Sequence, residues 1–129
     1  MIRVRAVKPS EIDDAKNFIR RIFPNAMVQI TEDDLLLLAE EMGQFVGFAH
    51  IIDEGERVLI QGIGVTESMR GQGVGTILLE HILHALRDND RPIFLKVKAL
   101  NPVIDLYCRY GFFLHRFGDS HMLVKKVDN

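Results

Sequence analysis

The sequence lacks several features that would assign it to a specialised class of protein. It has 129 residues and one cysteine, so it can form neither an intramolecular disulfide nor a site built from several cysteines. No apolar run approaches the roughly 20 residues that a membrane-spanning helix needs. The formal net charge of −2 gives no electrostatic reason to expect binding to nucleic acid or to an anionic membrane.

The remaining composition is that of an ordinary globular protein. Hydrophobic residues make up 47% of the chain and charged residues 26%, and the length favours one domain over residues 1–129. Ile2 to Val7 alternates apolar and charged residues, unlike a signal peptide. No repeat, low-complexity tract or linker interrupts the chain. We therefore expect a single-domain cytoplasmic enzyme.

Hydrophobic periodicity predicts ten elements in the order β-α-β-β-β-α-β-α-β-β. The predicted strands are Ile2–Val7, Leu35–Met42, Gln44–Asp53, Arg57–Val65, Pro92–Lys98, Phe112–Phe117 and His121–Val127, and the predicted helices span 12–23, about 74–87 and 101–110. The strand before the second helix and the strand after it should pair in parallel. The expected fold is a mixed α/β (α+β) domain with a mostly antiparallel sheet and helices on both faces.

Local signals in the sequence predict where two of the helices begin or end and where the central strand is closely packed. The first helix should begin with Ser10 as N-cap, and Asn101 should cap the third helix with Pro102 at its first position. Gly111 should end that third helix. The segment from Phe23 to Asp34 is either loop or a short helix. Small residues at 62 and 64 of the central strand suggest that another backbone or a slender ligand approaches closely there.

The segment from Val65 to Leu79 carries the strongest functional signal. Gly71, Gly73 and Gly75 lie between an apolar strand and an amphipathic helix. Glycines at a helix N-terminus let backbone N–H groups approach an anion, and the helix dipole favours its charge by about 0.3–1 kcal/mol. This pattern predicts a phosphate or pyrophosphate site, with a merely tight strand-to-helix turn as the alternative.

The spacing of these glycines excludes the two common nucleotide loops. A dinucleotide fold needs Gly-x-Gly-x-x-Gly, whereas the third glycine here comes one residue too early. A P-loop needs lysine before serine or threonine, and Gly75 is followed directly by Thr76.

Several motifs of this sequence resemble those of the GNAT superfamily of N-acetyltransferases. Arg70, Gly73 and Gly75 fit its Arg/Gln-x-x-Gly-x-Gly/Ala loop, and the run from Tyr107 to Phe112 fits its Tyr-x-Arg/Lys-x-Gly-Phe signature. The order of elements is also similar, and Met122 to Lys126 resembles the closing strand of the family. The resemblance covers nearly the whole chain.

The resemblance implies acetyl-CoA as cosubstrate and a primary amine of a small molecule or protein as acceptor. Backbone near Ile63 and Val65 would bind the pantetheine arm, and the Val65 amide would polarise the thioester carbonyl. The implied cofactor-binding residues are Ile63, Val65, Arg70, Gly71, Gln72, Gly73, Val74, Gly75, Thr76 and Asn101. Arg70 is alternatively a surface arginine, and Asn101 is alternatively only a helix cap.

The same resemblance makes Tyr107 the candidate general acid. A tyrosine has a pKa of about 10, so it stays protonated at pH 7 and can donate to the leaving thiolate. Its alternative role is packing of a helix on the sheet. Cys108 next to it is interpreted as a packed thiol, so we expect direct attack of the amine in a ternary complex and no acetyl-cysteine.

The general base stays open. Many family members carry a glutamate on the central strand shortly before the motif valine, whereas the polar residue here is Gln61, whose amide cannot accept a proton. A buried His50 with a backbone partner is the interpretation for that side chain. The other candidates are Glu54, Glu56, His115, His121 and a water relay.

Other functions compete with catalysis. A non-catalytic module that binds or senses acyl-CoA is the main alternative, because the strand glutamate is absent, and a nucleotide-binding regulator is a third. His81 and His84 lie on the polar face of a helix and give a metal site little support. The sequence leaves a homodimer and the identity of the amine open.

Overall fold

Seven strands form one continuous sheet in the computed structural model, which describes residues 1–25, 28–98, 104–116 and 120–126. The strands are β1 (Arg3–Ala6), β2 (Leu35–Glu41), β3 (Gln44–Asp53), β4 (Val58–Val65), β5 (Ile93–Lys98), β6 (Phe113–Arg116) and β7 (Ser120–Lys125), and the helices are α1 (Ile12–Ile22), α2 (Val74–Ala85) and α3 (Ile104–Arg109). Their order in the sheet is β1-β2-β3-β4-β5-β7-β6. Among the described strands, β4 and β5 are the one parallel pair, so the predicted fold class, element order and parallel pair are confirmed.

Helices cover both faces of the sheet, as predicted. We call the two sides the α1 face and the α2 face. On the α1 face, the buried core consists of Ala15, Phe18, Ile19, Leu36, Leu38 and Phe48. On the α2 face, Leu78, Leu79 and Ile82 of α2 pack with strand residues and with Tyr107 and Phe112. Among the described helices, none is long and apolar enough to cross a lipid bilayer.

A bulge at Gln61 changes the direction of the side chains along β4. His50 pairs with Gly62 and Ile51 pairs with Ile60, so Gln61 has no partner on β3. Because one extra residue reverses the alternation of a strand, Ile60 before the bulge and Ile63 after it both contribute to the α2-face core. Gly62 therefore lies on the opposite, α1 face.

An aromatic ring explains one of the two glycines of β4. A Cβ at Gly64 would clash with the Phe48 ring and crowd Ile22 and Phe23 at the end of α1. A Cβ at Gly62 would meet only the Phe48 ring, at an ordinary 3.7 Å. The expectation of a second backbone or a slender ligand against this face is therefore wrong at Gly64, where side chains of the α1 face fill the space.

The predicted start of the first helix is also wrong in detail. Ser10 lies inside a 3₁₀ turn (Pro9–Glu11) and makes no cap hydrogen bond. The Glu11 carboxylate accepts the bond there instead, from the backbone N–H of Lys8 at 3.0 Å. The Glu11 carboxylate thus reaches back to the residue before the turn, and the hydroxyl of Ser10 does not act as the predicted helix cap.

The end of α3 agrees with its prediction. Gly111 has a φ of +93°, a left-handed conformation that glycine adopts readily, and the Phe112 N–H donates to the Tyr107 carbonyl at 3.2 Å. The predicted caps Asn101 and Pro102 lie outside the described residues, as does the hairpin turn at 118–119.

One ion-pair network ties the first three elements of the chain together. Arg5 on β1 donates from Nη1 and Nη2 to the two carboxylate oxygens of Glu11, both at 2.8 Å. Its Nε also donates to Glu40 on β2 at 3.1 Å. The hydrogen bonds from Arg5 hold the pKa of Glu11 at about 2, well below its usual value of 4.5.

This lowered pKa predicts an acid-dependent loss of stability. Because Glu11 binds its proton less readily in the folded chain, its contribution should be complete above about pH 4.5 and disappear as the pH falls towards about 2. In Glu11→Gln, the free energy of urea unfolding should be lower than in wild type at pH 6, and the difference should close towards pH 2. Glu80→Gln, on the exposed side of α2, is the control. An equal difference at pH 6 and at pH 2.5 would contradict the role of the ion pair.

Candidate functional site

The sheet opens between β4 and β5. These strands pair only from Val58 to Ile60 and from Ile93 to Leu95, although β4 continues to Val65 and β5 continues along β7 to Lys98. Beyond Ile60 and Leu95 the edge of β4 has no strand partner in the described part of the chain. We call this gap the β4–β5 cleft, and it lies at the carboxyl ends of two parallel strands, where open α/β sheets usually bind ligands.

The glycine loop leads from this cleft into α2. Gly71 and Gly73 have φ values of +77° and +85°, and Gly73 is the N-cap of α2. No side chain caps this end of the helix. The first intrahelical bond starts at Ile77, whose N–H donates to the Gly73 carbonyl at 3.0 Å, so the N–H groups before it have no helical acceptor. Backbone N–H groups without helical acceptors are the donors that an anion site at a helix N-terminus needs.

The space around the loop glycines is open. A Cβ added at Gly71 or Gly73 would meet no described atom within 4 Å. The two glycines are therefore explained by their backbone conformation and not by packing. Gly75 follows in the first turn of α2 with ordinary helical geometry, and Val74 is buried against the sheet.

Polar side chains of the loop fold back on neighbouring backbone. The Nε of Arg70 donates to the Val65 carbonyl at 3.4 Å, and the Nε2 of Gln72 donates to the Ser68 carbonyl at 3.3 Å. Thr76 is half-buried in the first turn of α2. The Thr66 hydroxyl, which the sequence reading did not single out, is buried and has no hydrogen-bond partner in the described ranges. Arg70 thus links the loop to the end of β4.

Tyr107 lies on α3 with its ring in the α2-face core. Only 6% of the residue is exposed, and its ring packs edge-on against Phe112 at 6.4 Å between centroids. Burial raises the pKa of Tyr107 to about 12. The phenol therefore keeps its proton throughout the physiological range, as a donor to a thiolate would need to.

The prediction that the Cys108 thiol on the same helix is packed is wrong. The thiol is exposed instead of packed. Six residues of α3 place Tyr107 towards the core and the next position towards solvent, a contrast that the apolar neighbours in the sequence did not indicate.

The candidates for a general base lie in different places. Glu54 pairs with Arg57 at 2.7 Å near the start of β4, at the opposite end from the cleft, and Glu56 is exposed in the same turn. His115 is exposed and packs edge-on against Phe94, while His121 is partly buried on β7.

His50 is buried, as expected, but its partner is not backbone. Its Nε2 lies 2.8 Å from the Oδ2 of Asp34, a residue that the sequence reading did not connect with it. Hydrogen bonds from His50 and Thr31 hold the pKa of Asp34 below its usual value against the opposing effect of burial, which is the largest single influence. The signal in the sequence is Thr31-x-x-Asp34, in which both the N–H and the hydroxyl of the threonine reach the carboxylate.

Several solved structures share this fold along nearly their whole length. The ribosomal-protein-S18-alanine N-acetyltransferase from Escherichia coli is 19% identical with a TM-score of 0.79, covering 100% of this chain and 97% of its own. Escherichia coli ElaA is 21% identical with a TM-score of 0.81, covering 98% and 100%. Arabidopsis thaliana Naa50, in complex with the bisubstrate analogue CoA-Ac-MVNAL, is 21% identical with a TM-score of 0.79, covering 98% and 99%.

The sequence itself matches a protein family, although it matches no individual curated protein. No curated protein is significantly similar to the chain in sequence. Residues 6–112 nevertheless match the Acetyltransferase (GNAT) family, a range that includes the glycine loop, the cleft and Tyr107. The resemblance seen in the sequence is thereby confirmed, and the chain belongs to the GNAT family of acetyltransferases.

Proposed function

We propose that the protein transfers the acetyl group of acetyl-CoA to a primary amine that attacks the thioester directly while both substrates are bound. Membership of the family supports acetyl-CoA as the cosubstrate. The observation that carries the proposal is the early end of β4–β5 pairing after Ile60, next to a glycine loop with uncapped N–H groups. A thioester arm fits the first feature and a pyrophosphate fits the second.

The cofactor would lie along β4 and end at α2. The free edge of β4 at Ile63 and Val65 offers backbone hydrogen bonds to the pantetheine amides, and the Val65 N–H would polarise the thioester carbonyl. The N–H groups from Gly71 to Thr76 would bind the pyrophosphate. Arg70 would exchange the Val65 carbonyl for a phosphate oxygen, a stronger, charge-assisted partner. Gln72, Val74 and Gly75 complete this loop, and Asn101 remains the expected pantetheine contact.

The reaction itself moves one acetyl group and two protons. The amine nitrogen bonds to the thioester carbon, the carbon–sulfur bond breaks, and the amine gives up one proton to water. The thiolate that leaves takes the Tyr107 proton, which solvent later replaces. The buried, protonated phenol supports this role.

The class of acceptor is a primary amine of a small molecule or of a protein. One similar structure is named for acetylation of an alanine on a ribosomal protein, and another holds a bisubstrate analogue that joins CoA to a peptide. These neighbours favour protein N-termini for the first assays. Release of CoA thiol from acetyl-CoA, measured with peptides and small amines in turn, tests the function.

The half-buried Gln61 supports one competing function, a module that binds acyl-CoA without turnover. An amide at this position cannot take a proton from the amine. Binding of acetyl-CoA without thiol release in the presence of any amine would favour this alternative over catalysis.

A valine at Gly73 should weaken the binding of CoA. Its Cβ would project into the open space expected for the phosphates, and its left-handed φ of +85° would distort the loop. Loss of one hydrogen bond to a charged group costs about 1.5–3 kcal/mol, which corresponds to roughly tenfold or more in Kd by calorimetry.

Gly43→Val is the matched control for this variant. Gly43 has a φ of +78° and equally open surroundings, but it lies in the β2–β3 turn. Both variants should lose comparable stability, and only Gly73→Val should lose affinity for CoA. Equal CoA affinities in the two variants would refute the assignment of the loop.

Tyr107→Phe should lower kcat while leaving acetyl-CoA affinity nearly unchanged. The phenyl ring preserves the packing against Phe112, and the donor proton is lost. A positioned general acid contributes about 10²–10⁴-fold. Tyr110→Phe, which alters the half-buried second tyrosine of the chain, should keep wild-type turnover. Unchanged kcat in Tyr107→Phe would assign this residue to packing alone.

Direct transfer predicts that Cys108 is dispensable. Cys108→Ala should keep most of the activity, although the thiol is exposed and therefore accessible. Mass spectrometry after incubation with acetyl-CoA alone should find no stoichiometric acetylation of this thiol. An acetyl adduct that an amine discharges, together with parallel lines in initial-rate plots, would establish a ping-pong reaction instead.

A further inference from the structure

The outer half of the sheet, formed by β5, β7 and β6, has two rows of side chains on one face. Residues that pair across neighbouring strands point to the same face of a sheet. The register gives a first row of Lys96, Met122 and Arg116 and a second row of Phe94, Val124 and Phe113. Leu95 and Leu123, which lie between the rows, belong to the α2-face core, so both rows lie on the α1 side of the sheet.

No described helix covers these rows. α1 packs with residues of β2 and β3, and α2 and α3 contribute to the core on the other face. Lys96 and Arg116 are exposed, as is Lys126 directly after β7, and Phe113 keeps 47% of its surface in contact with solvent. We call the surface made by the two rows and Lys126 the basic face.

The cations of the basic face are not balanced by carboxylates. Lys96, Arg116 and Lys126 form no ion pair with any residue in the described ranges. The formal net charge of the whole chain is −2, so composition does not explain a cluster of this sign. Exposed cations also protect an edge strand such as β6 from aggregation, which is the competing explanation. Protection of an edge does not account for Lys96, which lies on an inner strand.

The aromatic rings of this face already have cations against them. The Arg57 guanidinium, which is paired with Glu54, lies 4.6 Å from the centroid of the Phe94 ring, and the Lys126 ammonium lies 5.9 Å from that of Phe113. A single-stranded nucleic acid needs free ring faces on which its bases can stack. The arrangement therefore favours a partner whose negative charges are carboxylates.

The first row begins beside the β4–β5 cleft. Pairing of β5 with β4 ends one residue before Lys96, at Ile60 on β4. Ile63 and Val65 lie three and five residues beyond Ile60, so roughly 7–13 Å of strand separates them from the level of the row. Strands about 4.8 Å apart place the backbones of Lys96 and Arg116 about 10 Å from each other. An extended polypeptide would cover the first distance with about two to four residues and the row with about three more.

We propose that the basic face binds an acidic segment of the acceptor polypeptide whose amine receives the acetyl group. This inference rests on the proposed function and narrows its acceptor to polypeptides with acidic residues from about the third to the seventh position after the cleft. Their carboxylates pair with Lys96, Arg116 and Lys126, and the apolar parts of the chain lie on Met122 and Phe113. A single exposed ion pair contributes little, so recognition depends on several carboxylates together.

The first test varies the charge of the acceptor. Peptides of one length and one N-terminal residue carry all glutamate, all glutamine or all lysine from the third to the seventh residue. With saturating acetyl-CoA at low ionic strength, KM should be about fivefold or more lower for the glutamate peptide than for the glutamine peptide, with similar kcat, and highest for the lysine peptide. The difference should shrink in high salt, because exposed charges are screened. Equal KM values for the three peptides would overturn the proposal.

Removal of the two charges of the first row provides a second test. The double variant Lys96→Gln/Arg116→Gln should lose the preference for glutamate while its KM for the glutamine peptide stays at the wild-type value. The matched control is Arg3→Gln/Arg20→Gln, which removes the same net charge from exposed positions on β1 and α1 and should keep the preference. The reversed variant Lys96→Glu/Arg116→Glu should prefer the lysine peptide. Equal preferences in the first two double variants would overturn the proposal.

Binding without turnover separates this inference from the proposed function. A fluorescein-labelled glutamate peptide should bind to the CoA complex, and ¹H–¹⁵N spectra should show shifts at Lys96, Met122 and Arg116. If these shifts occur and no amine is acetylated, the proposed function fails and the docking surface stands. Absence of binding, or shifts confined to other parts of the chain, would overturn the docking surface. Tighter binding of a single-stranded oligothymidylate than of the peptide at the same ionic strength would also overturn it.

Discussion

The separation of β4 from β5 is the constraint on which the rest of the site depends. A parallel pair normally continues along both strands, since each unpaired N–H or C=O that is buried is costly. Here pairing stops after Ile60 and Leu95, and β5 keeps β7 as its partner on the other side. The free edge of β4 is thus left with hydrogen-bonding groups that a strand-like ligand can satisfy, as an added strand would.

The bulge at Gln61 changes which face of the sheet the later residues of β4 point to, next to the cleft. It returns Ile63 to the α2-face core and places two glycines towards α1. The same extra residue sets Gly62, and not a side chain, opposite His50. The Gln61 position is thus the extra residue of the bulge, a backbone role that does not involve its amide.

Local signals in the sequence were enough to predict the loop and most of the elements. The positive φ values at Gly73 and Gly111 follow from residue type and neighbours within a few positions, so the helix start and the helix end could be predicted. The early end of the β4–β5 pairing and the bulge could not, because register depends on contacts between distant strands. Cys108 was misplaced for a similar reason, since the exposed side of a six-residue helix depends on what it packs against.

The contact between Asp34 and His50 could not be predicted from the sequence, for a more specific reason. The two residues are 16 positions apart, and the segment carrying Asp34 has no periodic pattern that would place it. Histidine on an apolar strand suggests burial, but only the fold supplies the carboxylate that orients it. Because a buried carboxylate needs a hydrogen-bonded partner, the Asp34 segment and the His50 strand constrain each other's position, which local sequence signals do not encode.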